Sequence, residues 1–255
     1  MKVLVIGATG SIGRLVVDEA VAAGHSVRAL VRDPASARQL HRDAEVVEGD
    51  LARPDSLREA VQGVEAIVFT HGAGSRAGAE TVDYGGVRNV LAALDGARAR
   101  IALMTAIGVT DRERRSPGSS STHDWKRRGE RLVRASGLPY TVVRPGWFDY
   151  NDDHQHKLVM LQGDLRQAGD PSDGVIARRQ IAQVLVQSLT CDAAAFKTFE
   201  LIAEDGPAQA QLDRLFEAVQ RDTVGALDAV LDPGNMELAD EPPSVIDDLQ
   251  LISGR

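Results

Sequence analysis

Gly7, Gly10 and Gly13 stand three residues apart directly behind the apolar run Val3-Leu4-Val5-Ile6, a spacing suited to holding phosphate. The run reads as a buried parallel strand. Ile12, Leu15, Val16, Val17, Ala20 and Val21 then recur at helical period up to Gly24. Gly7 permits the tight turn, Gly10 lets the backbone approach a pyrophosphate, and Gly13 lets the helix pack closely on the strand. Thr9, Ser11, Ile12 and Arg14 complete the turn, and the free N–H groups and positive dipole end of the helix hold the phosphates. Strand, glycine turn and helix in this order predict a dinucleotide site rather than an ordinary strand-to-helix connection.

The next strand, Ser26 to Val31, ends in Arg32-Asp33-Pro34, where such a fold meets the adenosine ribose. An acidic residue there accepts from the 2′-hydroxyl of NAD, whereas an arginine accommodates the 2′-phosphate of NADP. Arg32, with Arg14 as a second cation, predicts NADP; Asp33 keeps NAD as the lesser alternative. Asp152-Asp153-His154-Gln155-His156 gathers metal-ligand types, but it mixes hard and soft ligands without a water-activating motif, so no metal is predicted.

The elements that must position these residues alternate. Strand-like runs follow at Glu45 to Val47, Ala66 to Phe69, Ile101 to Met104 and Thr141 to Val143. Helical patterns lie between them at Pro34 to Arg42, Pro54 to Val61, Val82 to Leu94 and Asp124 to Ala135. Right-handed crossovers then give an α/β fold, a doubly wound parallel sheet with helices on both faces and a small irregular C-terminal part. Asp111 to Thr122, rich in charge, serine, proline and glycine, predicts a solvated loop that could serve as a lid. Ile181 to Leu189 reads as a helix and Phe199 to Ile202 as a late strand. The dinucleotide-binding domain is expected over residues 1–206, with a substrate-side region from about 146. Residues 207–255 are expected to form a helical extension. Its apolar face, Leu212, Leu215, Phe216 and Val219, should pack on the domain or on a second subunit, giving a homodimer in the latter case; Pro233 to Pro243 should be extended.

Composition narrows the function classes. A formal net charge of −8 disfavours nucleic acid as a partner. The single cysteine, Cys191, excludes an internal disulfide and suits a reducing compartment. No apolar stretch approaches the ~20 residues of a membrane span, and the N-terminal run is not a signal peptide. The expectation is a cytoplasmic protein whose partner is a small-molecule substrate.

Gly7-x-x-Gly10-x-x-Gly13 resembles the extended and atypical branches of the short-chain dehydrogenase/reductase superfamily. Further matches are Val82-Asp83-Tyr84-x-Gly86, Lys126-x-x-x-Glu130, Ser136-Gly137-Leu138-Pro139-Tyr140-Thr141 and Val143-Arg144-Pro145-Gly146. Together they cover residues 1 to about 205 and resemble the atypical branch, including its NmrA-like members. The resemblance implies that Asp50 and Leu51 contact the adenine and that Pro145 runs beside the nicotinamide. It also implies a hydroxyl after the fifth strand, here Thr105, and a ribose-binding lysine, here Lys126. The resemblance also places Asp83 with Thr105 and Lys126 as a catalytic candidate, since this branch often carries aspartate where classical members carry asparagine; Asp83 could equally cap its helix.

The resemblance breaks at Thr122, which occupies the position of the proton-donating tyrosine. An aliphatic hydroxyl is far too weak an acid for that role. Tyr84, His71 and His123 are the remaining neutral-pH candidates, and Lys126 opens a basic run, Lys126-Arg127-Arg128, that would also suit a solvated face. Tyr140, just before a strand, reads as a core residue with its hydroxyl at the surface. The leading expectation is an NADP-dependent oxidoreductase acting on a small carbonyl or related substrate. The alternatives are a non-catalytic NADP(H)-sensing regulator and a nucleotide-sugar epimerase or dehydratase.

Overall fold

The computed structural model describes residues 1–112 and 122–254. The predicted loop or lid from Asp111 to Thr122 therefore lies mostly outside the described residues. Six strands, β1 (Lys2–Ile6), β2 (Ser26–Val31), β3 (Glu45–Glu48), β4 (Ala66–Phe69), β5 (Arg100–Met104) and β6 (Tyr140–Pro145), pair in parallel. Three short strands, β7 (Trp147–Phe148), β8 (Lys157–Leu161) and β9 (Val175–Ile176), precede β10 (Lys197–Glu204), which joins β6 in parallel. The order is β3-β2-β1-β4-β5-β6-β10-β9-β7, with β8 antiparallel on β10. Strand order reverses direction at β1, which places a ligand crevice at the carboxyl ends of β1 and β4.

Both faces of the sheet are covered, so β1 is apolar at every position from Val3 to Ile6 rather than at alternate ones. Val3 and Val5 pack with Val16, Val17 and Ala20 of α1 (Ser11–Ala22). Between them and the far end come α2 (Arg58–Val61) and α3 (Gly85–Ala93), then α4 (Thr122–Ala135) and α5 (Arg178–Ser188). Ile181, Leu185 and Leu189 extend the first core, while Leu4, Ile6 and Phe69 face Val87 and Leu91 of α3 and Leu132 of α4. The helix expected from Pro34 to Arg42 is instead a 3₁₀ turn, Pro34–Gln39, with no buried residue. It carries no apolar stripe to dock, and Asp33 caps it by accepting from the Ala35 N–H at 2.9 Å. Ahead of α3, residues Ala79–Tyr84 form a π-helical turn that brings Asp83 to the cleft and turns Tyr84 into the core beside Trp125.

The C-terminal residues pack on the domain through α6 (Asp213–Ala218) and α7 (Pro243–Ser253). Leu212, Phe216 and Val219 enter the first core, where Phe216 meets Phe199 at 6.0 Å between ring centroids. Val245, Leu249 and Ile252 enter the second.

Between these helices runs a band of buried charge that hydropathy alone conceals. Arg127 and Arg128, which suit a solvated run by sequence, are buried, as are Arg131 and Arg134 farther along α4. Arg127 and Arg131 both bond Asp228, Arg128 bonds Glu241, and Arg134 reaches Thr198 at 2.6 Å beside Asp222. At the end of β6, the fully buried Arg144 forks onto both oxygens of Asp232 at 2.7 Å and onto Glu130 at 2.7 and 3.1 Å. Tyr140, expected to show its hydroxyl to water, donates it instead to Asp222 at 2.9 Å.

Breaking one half of a buried ion pair strands the other, so Asp232→Ala should destabilise the protein by about 3–5 kcal/mol in urea unfolding. Burial alone would raise the carboxyls of Asp228 and Asp232, but Arg131 and Arg144 hold them below the usual 3.8. Their stabilisation is therefore present above that pH and lost as pH falls below it. Acid unfolding of the parent should steepen there, and Asp232→Asn should show a shallower slope.

Candidate functional site

The glycine turn closes on itself with little room. Gly7 has φ +80°, and a Cβ there would stand 2.7 Å from the His71 amide nitrogen. A Cβ on Gly13 would fall 2.0 Å from the Gly7 carbonyl oxygen, so helix and strand meet at backbone distance. Gly10 caps α1 without any side-chain bond, leaving the first-turn N–H groups and the positive dipole end directed outward. Ile12 contributes only backbone to this edge because its side chain is in the core.

A cavity of about 350 Å³ opens over the turn, lined by Gly7, Thr9, Gly10, Arg32, Asp50 and Leu51 among others. Arg32 is exposed at its edge, whereas Asp33 is occupied in capping the 3₁₀ turn. Arg14 leans the same way, donating to the Gln39 side chain. Asp50 caps its own turn by accepting from the Ala52 N–H at 3.0 Å, and the Leu51 carbonyl accepts from Asn89 at 2.7 Å. A cradle that any Cβ would fill, beside free helix-terminal donors, fits the diphosphate of a dinucleotide.

His71 leads from this cavity into a narrow cleft that it shares with Asp83, Thr105 and Lys126. Lys126 donates to Asp83 Oδ1 at 2.9 Å, and the Ala73 N–H donates to the same oxygen at 3.2 Å. Asp83 Oδ2 and His71 Nδ1 are buried with no partner among the described residues. Bound ribose hydroxyls or an amide would supply such partners. Nε2 of His71 donates to the Val82 carbonyl at 3.0 Å. Burial, then the nearby Lys126 ammonium, lowers the His71 pKa to about 4, so the ring is neutral at pH 7. Thr105 is buried and donates its hydroxyl to Glu130 at 2.7 Å, so toward a ligand it can only accept. Tyr84 is removed from proton transfer, since it donates to Asp248 at 2.9 Å and burial pushes its pKa up.

A second cavity, about 340 Å³, lies beyond the ends of β5 and β6. Ile107, Pro145, Trp147 and Phe148 give it apolar walls, and His123 lines it with Nδ1 donating to the Gly108 carbonyl at 3.1 Å. Pro145 is thus placed against the second cavity, while Thr105, Lys126 and Asp83 line the cleft. Sequence reasoning missed Trp147, Phe148 and the residue that sets this wall, Asp164. Fully buried, Asp164 accepts from the Gly108 and Thr110 N–H groups, both at 2.7 Å, and from the Thr110 hydroxyl at 2.8 Å. Its one sequence signal was Gly163-Asp164, a pair whose positive φ values mark a turn. His154 lies 3.2 Å from Asp205, and no metal-binding group of three or more His, Cys, Asp or Glu occurs among the described residues. No helix among them is long and apolar enough to cross a membrane.

Residues 7–192 match a family described as NAD(P)H-binding. The YhfK protein of Bacillus subtilis (strain 168), described as an uncharacterized sugar epimerase, is 30% identical over 223 residues, 84% of this chain and 100% of that protein. Sanguinarine reductase of Eschscholzia californica is 26% identical over 244 residues, 79% of this chain and 88% of that protein. Among solved structures, the oxidoreductase ylbE from Lactococcus lactis superposes with a TM-score of 0.69 at 16% identity, covering 88% of this chain and 100% of that one.

Two groups in this region, the half-buried His71 and the buried Glu200, pull stability in opposite directions with pH. His71 stays neutral in the fold, so between pH 6.5 and about 4 the unfolded chain takes up a proton that the native state refuses, and stability falls. Burial, against the pull of Arg144, raises Glu200 to about 7, so between pH 7 and 4.5 the native state takes up the extra proton and stability rises. Denaturation midpoints measured across pH 4.5–7 should therefore change slope oppositely in His71→Asn and Glu200→Gln. Parallel profiles in the two variants would contradict both assignments. Gly13→Ala should fail to bind dinucleotide, since its methyl has no place without parting α1 from β1.

Proposed function

The chain belongs to the NAD(P)H-binding, atypical short-chain dehydrogenase/reductase family, and from that premise we propose that it is an NADP(H)-dependent reductase of a small conjugated carbonyl or related acceptor. The observation that carries this reading is the pairing of two cavities at the carboxyl ends of one parallel sheet, one cradled for phosphate and one apolar. Bound NADPH would supply a hydride from nicotinamide C4. Lys126 and Asp83 would hold its ribose, and Pro145 would border the ring's reactive side.

NADP is favoured over NAD by the two arginines at the adenosine end, Arg32 exposed and Arg14 steered toward Gln39. Asp33, the residue that would serve NAD, has its carboxylate engaged with the Ala35 N–H.

The proton side of the reaction is weak, and that favours one kind of acceptor. Thr122 is no acid, and Thr105 has given its hydrogen to Glu130. A conjugated acceptor spreads the incoming electron pair, so it can take hydride first and collect its proton from water afterwards. The flat walls supplied by Trp147 and Phe148 suit such a molecule. Sanguinarine reductase, a relative, is a reductase by name. An epimerase would need an acid–base group over a sugar hydroxyl, which Thr122 does not provide. A sensing role is the second reading, favoured by the engagement of Thr105 with the scaffold.

Calorimetric titration should show NADPH binding more tightly than NADH, and Arg32→Ala should erase a difference of roughly ten- to a hundredfold, the worth of a charge-assisted bond. With a conjugated enone or quinone as acceptor, NADPH should be oxidised, Thr122→Phe should change the rate little, and Trp147→Ala should lower kcat/KM without altering NADPH affinity. Equal affinity for the two cofactors would refute the NADP assignment. Tight NADPH binding with no oxidation by any acceptor would support the sensor.

A further inference from the structure

Arg178 is the first residue of α5, which lies along α1 with its N-terminus beside the glycine turn. Its Nε donates to the hydroxyl of Ser11, the first residue of α1, at 3.1 Å. Nη1 donates to Asp149, whose other carboxylate oxygen accepts from the Arg178 N–H at 3.0 Å. The guanidinium lies 5.3 Å from the centroid of Phe148, a residue of the apolar cavity. Nη2 has no partner among the described residues, and about a third of the side chain is exposed. Three contacts therefore fix a solvent-accessible cation on the rim of the first turn of α1, between the two cavities.

The first turn of α1 needs such a charge. Ser11, Ile12 and Gly13 supply N–H groups and a partial positive dipole but no cationic side chain. Arg14, the nearest arginine in sequence, is drawn away to Gln39 at the adenosine end. A dinucleotide diphosphate carries roughly two negative charges, and a held guanidinium whose Nη2 remains open can donate a charge-assisted bond to its oxygens.

We propose that Arg178 binds the diphosphate of the dinucleotide, with Ser11 and Phe148 keeping the guanidinium over the α1 N-terminus and Asp149 acting as a competing acceptor that the diphosphate displaces. This rests on the dinucleotide reading above but not on NADP as the choice. The diphosphate is common to both cofactors, so Arg178 should not discriminate between them, whereas Arg32 should.

Calorimetry with NADPH and with NADH on the intact protein separates the possibilities. Arg178→Gln should weaken both by a similar factor of about ten to a hundred, as expected for a charge-assisted bond. Arg178→Lys should keep most of the affinity. Asp149→Asn breaks the bridge but leaves the cation, so it should keep or tighten both affinities, by up to about fivefold for release of an exposed ion pair. It also tests the idea should Arg178→Gln fold poorly. Unchanged affinity in Arg178→Gln with a lowered Tm would make Arg178 a mere staple between α1 and α5 and overturn the proposal. A loss confined to NADPH would reassign Arg178 to the 2′-phosphate, and a loss in Asp149→Asn equal to that in Arg178→Gln would show that the bridge, not the cation, matters. A parent protein that bound neither dinucleotide would overturn the cofactor reading itself.

Discussion

A guanidinium deprived of water must be met by carboxylates from several directions, and Arg144 imposes that demand at the centre of this molecule. It lies wholly buried at the end of β6, where α4 supplies Glu130, β10 supplies Glu200 and the C-terminal segment supplies Asp232. Two of those acids then reach onward. Glu130 receives the Thr105 hydroxyl, and Glu200 accepts the Asp164 N–H at 3.1 Å. Asp164 in turn accepts from the N–H groups of Gly108, in the wall of the apolar cavity, and of Thr110 two residues on. Burial alone would raise Glu130, yet Arg144 and Arg134 hold it below its usual range, so it remains ionised and keeps accepting. One charge thus sets the position of the strand end, the cleft and the cavity wall.

That connection accounts for the incomplete proton chemistry. A threonine after the fifth strand could present its hydroxyl hydrogen to a substrate only if nothing behind it accepted that hydrogen. Glu130, ionised and 2.7 Å away, does accept it. With Thr122 at the tyrosine position as well, the site retains the means to hold a cofactor but has neither of the hydroxyl donors that its relatives' arrangement would supply. This is why the proposed reductase is assigned an acceptor that tolerates late protonation, and why the second reading makes the bound cofactor itself the signal.

The legible parts of the fold are those in which a short stretch of sequence carries its own constraint. Gly7, Gly10 and Gly13 reveal themselves because backbone crowding forbids any side chain at fixed spacing. The boundaries of β2 and β4 match the strand runs expected from the sequence residue for residue, and every residue of both except Ser26 is buried. Asp83 and Lys126, read separately by resemblance, do meet at 2.9 Å. The α4 arginines were illegible for the opposite reason. Arg127 and Arg128 suit a solvated run until Asp228 and Glu241, about a hundred residues later in the chain, fold over them. No local pattern distinguishes an arginine that meets water from one that meets a distant carboxylate. Trp147 and Phe148 were hidden likewise, because β7 is two residues long and exists only by pairing with β9.

The two halves of the site are accordingly held by different physics. On the cofactor side, positions are fixed by contact: Gly13 against the Gly7 carbonyl, and Gly7 against His71, distances that change only if backbone moves. On the substrate side they are fixed by charge, through Arg144 and the acids around it, and also by Gly146, whose missing Cβ lets β6 pass the Gly174 carbonyl. Steric constraints are indifferent to protonation, whereas ion pairs depend on it. A dinucleotide cradle built in the first way can be kept unchanged while the second half is altered by exchanging charged partners. The C-terminal segment supplies Asp222, Asp228, Asp232 and Glu241 to the buried charge around α4 and Arg144, so the ion pairs on that side close only when the end of the chain has folded over the helix.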